Sequence, residues 1–129
     1  MSGPVTGEYT PAVDAEVQDV TPISAIKTLS KLSRQLDVAG ERLHDAERRA
    51  VSTKHAYTIA KAKAYLTAEG SVQAREAQAV IDTDSERLAA ELAEAELRIL
   101  KSDIRILENR IDVGRSVVGV LRAEAQVTR

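Results

Sequence analysis

Residues 29–67 read LSKLSRQLDVAGERLHDAERRAVSTKHAYTIAKAKAYLT and carry one unbroken heptad. Leu29, Leu32, Leu36, Ala39, Leu43, Ala46, Ala50, Thr53, Tyr57, Ala60, Ala64 and Thr67 recur at alternating intervals of three and four, with charged residues filling the gaps. That spacing keeps one face of an α-helix apolar along its whole length and presents it to a partner helix, as in a coiled coil. A second run has the same alternation: Ala90, Ala93, Leu97, Leu100, Ile104, Leu107, Ile111, Gly114, Val118, Leu121 and Ala125. Two helices of about 45 residues would each be roughly 65 to 70 Å long. The class read from this pattern is all-α, a long antiparallel helical hairpin of coiled-coil type.

The boundaries come from local chemistry. Thr21 supplies a capping hydroxyl and Pro22 suits the first helical position, so helix one is expected over about 22–68. Gly70 is a natural left-handed terminator and Ser71 a new cap, so 69–71 reads as a tight reversal. Helix two follows over about 72–126, read as continuous. An alternative break at 82–85 would use Thr83 and Glu86 as a capping box. Residues 1–20 hold Gly3, Pro4, Gly7, Pro11 and four acids but no Lys or Arg, which reads as a disordered acidic tail. That tail has neither a basic start nor an apolar run, so no signal peptide is expected, and no stretch of 18 apolar residues is present to enter a membrane.

Charge and side-chain size agree on the hairpin. Between Arg48 and Ala68 stand Arg48, Arg49, Lys54, Lys61 and Lys63 without an acid, whereas 82–96 carries six acids against Arg87 alone. Folding back at Gly70 sets these blocks side by side. Seam residues near the turn are small (Ala60, Ala64, Ala90, Ala93), and those far from it are large (Leu29, Leu32, Ile104, Ile111).

One seam does not use all the apolar surface. Leu92, Ile99, Ile106, Val113 and Val120 form a separate seven-residue series on helix two, about one face away from the first. A lone hairpin would leave it wet, so it is the candidate interface, either for a homodimer or higher homo-oligomer packed as a four-helix bundle or for another protein.

Catalytic and cofactor chemistry finds little to work with. The chain has no cysteine, which removes thiolate metal sites and cysteine nucleophiles. Glu41 and His44 make a single E-x-x-H, the ligand spacing of carboxylate-bridged di-iron bundles, but both flank Leu43 on the side away from the seam. His55 is eleven residues further on, about 16 Å along a helix, too far to share a metal with His44. No phosphate loop or nucleophile with a nearby base can be assembled, so no cofactor and no enzyme activity are expected. Arg48, Arg49, Lys54, Lys61 and Lys63 are the candidate nucleic-acid contacts. That reading ranks second, since helix two opposes their charge, the chain is net −2 and it has only three aromatic residues for stacking.

The stretches YTIAKAKAYLTAEGSV (57–72), REA (75–77), AAELAEAE (89–96) and IDVGRS (111–116) resemble small helical proteins encoded by tailed phages of actinobacteria, over roughly 36–125. The resemblance implies a helical hairpin made in the cytoplasm of a bacterial host, with the virion left open. It carries over no catalytic residue. The functional expectation is a non-enzymatic adaptor acting through self-association and contacts with an unidentified phage or host protein. The alternatives are a nucleic-acid-binding accessory to phage recombination or replication, and a virion scaffold or inhibitor of a host protein.

Overall fold

A computed structural model describes residues 20–127, and these form three helices: α1 (Pro22–Thr67), α2 (Val72–Asp82) and α3 (Asp84–Val127). No strand occurs among the described residues. Apart from Val20, the acidic segment 1–20 lies outside them. None of the helices is long and apolar enough to cross a membrane.

Local chemistry sets each boundary. The Ser24 amide donates to Thr21 Oγ1 at 3.1 Å while the Thr21 amide donates to Ser24 Oγ at 2.8 Å, a reciprocal cap that satisfies two donors at the start of α1. At the other end Gly70 adopts φ +108°, open to glycine at little cost, and the chain turns back. Ser71 then caps α2 by accepting from the Ala74 amide at 3.2 Å. Arg75 reaches back from α2 and donates Nε–H and Nη2–H to the Tyr65 carbonyl at 3.2 and 3.1 Å, with its guanidinium 4.5 Å from the Tyr65 ring centre. One side chain thus serves as a cationic cap on the carbonyl end of α1 and ties α2 to it.

The helix read as continuous over 72–126 is divided at Thr83, within the 82–85 stretch of the alternative break. This residue is buried, with φ −114° and ψ 21°. Its hydroxyl donates to the Ala79 carbonyl at 2.6 Å; its amide also turns to Ala79 while the Glu86 carboxylate accepts from the Ser85 hydroxyl at 3.0 Å, so the reciprocal capping box expected from Thr83 and Glu86 is not formed. The Thr83 amide also donates to Ala79, and the Arg87 amide to Thr83, so the break loses few backbone bonds. A buried hydroxyl must find an acceptor, and the carbonyl four residues back is the nearest one.

The chain divides into two compact units. In the unit formed by 36–106, α1 and α3 run in opposite directions: Arg42 shares a groove with Leu100, Arg49 meets Glu96, and Tyr57 shares a groove with Ala90. The buried residues here are small: Ala46 and Ala50 of α1, Ala79 of α2, Thr83, and Ala90 and Ala93 of α3. In the unit formed by 20–35 with 107–127, Ala25, Ile111 and Val118 are buried and Leu29 lies against Gly114. From Leu29 to Ala64 every seam position of α1 is buried or half-buried, as is every one of α3 from Ala90 to Leu121; Thr67 and Ala125 at the seam ends are exposed.

The glycines divide by what surrounds them. A Cβ on Gly114 would lie 2.6 Å from Leu29 Cδ2 and 3.2 Å from its Cγ, so the missing side chain makes room for the leucine. Gly119 has nothing within 4 Å, and neither has Gly40. Gly40→Ala and Gly119→Ala should therefore each stabilise by about 1 kcal/mol through helix propensity. Gly114→Ala should show no gain, or a loss of about 1 kcal/mol, as Leu29 is displaced. Urea denaturation followed by circular dichroism at one protein concentration separates the two groups.

Candidate interaction surface

The second apolar series lies on the solvent side of α3. Leu92, Ile99, Ile106, Val113 and Val120 are 61, 61, 46, 64 and 58 % exposed, against 6 % for Ile111 in the seam of the same helix. The separation follows from the helix period. Each stripe residue is two positions after a seam residue, and two steps of about 100° carry a side chain away from α1.

Within 36–106, Leu92 and Ile99 line a groove of about 540 Å³ together with Leu100 and Ala95 of α3 and Arg42, Asp45 and Arg49 of α1. Across it Arg49 Nη1 donates to Glu96 Oε2 at 2.6 Å. The carboxylate accepts that bond and adds its Coulomb attraction, and the two together hold the Arg49 guanidinium above its ordinary pKa. Both partners are about half exposed, so the pair chooses register more than it holds the helices together. Arg42 and Asp45 were not among the residues singled out from the sequence. Their signal was available, for they stand on the same edge of the α1 heptad as Arg49.

The opposing charge blocks are not zipped together as expected. Within this unit Arg49–Glu96 is the ion pair that crosses between α1 and α3. Arg87 takes Asp84 and Glu91 from its own helix, each at 2.8 Å, and both raise its pKa. Arg48 stands 4.0 Å from Asp45, and Lys61 Nζ lies 5.8 Å from the Tyr57 ring centre. Neighbours three or four residues away on one helix are closer than those across the seam, and long side chains reach them first.

Nor do the five candidate nucleic-acid residues make one patch. Turning about 100° per residue, Arg48, Arg49 and Lys63 fall within roughly 100° of one another on α1, and Lys54 and Lys61 fall on roughly the opposite side. The grooves agree with that division: Arg49 borders the one lined by Leu92 and Ile99, Lys54 borders another with Tyr57, Arg87, Glu91 and Glu94, and Lys61 a third with Tyr65 and Leu66. Acids share all three of these surfaces: Asp45 and Glu96 the first, Glu91 and Glu94 the second, and Glu76 the third. Glu41, His44 and His55 are all exposed, and among the described residues no three His, Asp or Glu side chains converge in a way that could hold a metal. Comparison with protein-family models, with curated proteins and with solved structures finds no match for this chain.

Proposed function

We propose that this chain is a non-enzymatic interaction protein: a helical hairpin of coiled-coil type that self-associates through the outward face of α3 into a four-helix bundle. It would act as an adaptor or accessory factor in the infection cycle of a tailed phage of actinobacteria. The observation that supports the reading is the row Leu92, Ile99, Ile106, Val113 and Val120, exposed on a helix whose other face is already occupied. Burying each such side chain is worth roughly 1.5 to 3 kcal/mol, and an apolar row of this length is costly to leave in water. The assignment to a phage rests on the resemblance of 57–72, 89–96 and 111–116.

The rival use of the chain is tested by exchange of Arg48, Arg49, Lys54, Lys61 and Lys63 together to Gln. With the cations divided between two sides of α1 and Arg49 bound to Glu96, the wild type should give no salt-dependent shift of labelled DNA or RNA at about 150 mM salt. The exchange should lower stability or alter the oligomer instead. Tight binding at that salt, abolished by the exchange in a still-helical protein, would replace the adaptor reading with nucleic-acid binding. Tagged protein recovered from infected cells would then separate adaptor, scaffold and host-inhibitor roles by the partners it holds.

A further inference from the structure

We propose that the outward face of α3 is covered by α3 of a second copy of this chain, laid antiparallel about a two-fold axis between Leu107 and Glu108. This rests on the self-association reading above and specifies its geometry.

Three residues after each large stripe residue stands a small or uncharged one: Ala95, Ser102, Asn109, Ser116 and Ala123. Together with the stripe they give ten positions in unbroken alternation of three and four, without a charge, on one helix. Ala95 is half-buried and the other nine are exposed. A strict seven-residue repeat keeps this row in line over four heptads on a helix wound to that period, so the face is long enough to take another long helix. A compact pocket would use one or two turns.

The antiparallel arrangement sets large against small in every layer. Leu92 faces Ala123 of the second copy, Ile99 faces Ser116 and Ile106 faces Asn109; by symmetry Val113 faces Ser102 and Val120 faces Ala95. Facing positions that alternate in size let two helices approach and interdigitate.

Charge decides the direction. At the flanks of this seam, antiparallel pairing brings Asp103 of each copy to Arg110 of the other, and Arg105 to Asp112, so that four attractive pairs surround the axis. A parallel pairing in register would bring Glu91 to Glu96 and Arg105 to Arg110, both repulsive, against one attractive contact, Arg98 to Asp103. All four central charges are exposed. Asp112 has Arg115 as a neighbour on its own helix only at 4.0 Å, with both side chains about three-quarters exposed, so it can turn to Arg105.

The absence of cysteine allows clean labelling of the full chain. Glu108→Cys and Arg122→Cys, each carrying a nitroxide, occupy equivalent positions two heptads apart. Antiparallel pairing separates the two 108 labels by about 2 Å along the axis and the two 122 labels by about 45 Å. Pulsed dipolar spectroscopy should therefore give about 20 Å for the first and 45 Å or more for the second. Short distances at both positions would mean parallel pairing and overturn this arrangement while leaving self-association standing. A long distance at 108 would also overturn it, and a chain that sediments as a single copy would overturn the self-association reading as well. Independently, Arg105→Asp should weaken association about tenfold, and adding Asp112→Arg should restore it. Failure of the second change to restore association in a helical protein would contradict the pairing.

Discussion

Replacing Ile99 and Ile106 together with Asp is expected to convert the protein to single chains at tens of micromolar while its helix content stays within about a tenth of the wild type. In a symmetric pair the exchange removes four large side chains from the contact. Each is worth roughly 1.5 to 3 kcal/mol when buried, and each Asp would have to lose its hydration to stay there. Association should weaken by about 10³-fold or more. The helices survive because both residues are exposed in the single chain and the seam through Leu97, Leu100 and Ile104 is untouched. Circular dichroism and sedimentation on the same samples check both halves. An unchanged mass would place the contact elsewhere, and loss of helix would show that Ile99 and Ile106 support the fold itself.

The opposite outcome is expected for Ile111→Ala. Ile111 is 6 % exposed in the unit formed by 20–35 with 107–127, where Val118 and Ala25 are the other buried apolar side chains. Removing it should leave a cavity and cost about 2 to 3 kcal/mol. Val113→Ala removes two carbons, one fewer, from a side chain that is 64 % exposed, and in the Ile99→Asp, Ile106→Asp background it should cost less than about 0.5 kcal/mol. Working in that background keeps association out of the comparison. Urea midpoints for the pair test whether α3 has two apolar faces with different tasks. Equal losses would mean that the stripe packs within the chain.

The seams were legible because a heptad is a statement about geometry. The spacing from Leu29 to Ala64 and from Ala90 to Leu121 puts side chains on one face whatever the partner is, and those residues are the shielded ones. Gly70 was legible for the same kind of reason, since the chain there needs a conformation that other residues resist. The division at Thr83 was harder to read. A threonine inside a helix can face water or bond the carbonyl four residues back, and burial, which decides between the two, depends on the packing of α2. The Arg75 bonds to Tyr65 carried no signal, because they join residues ten apart across the turn. Blocks of charge suggested a zipper between α1 and α3, yet Arg87 bonds Asp84 and Glu91 on its own helix. Sequence shows where charges cluster, while side-chain reach decides which of them meet. The stripe from Leu92 to Val120 was readable as surplus apolar surface, and its neighbours Arg42 and Asp45 emerged only once α1 and α3 were aligned.

Sedimentation equilibrium of the wild-type chain from about 1 to 100 micromolar decides whether copies of the chain join. If the outward face of α3 joins copies of the chain, the average mass should rise with concentration from the 14.0 kDa of one chain to at least twice that value by tens of micromolar. A mass that stays at 14.0 kDa through 100 micromolar would contradict it.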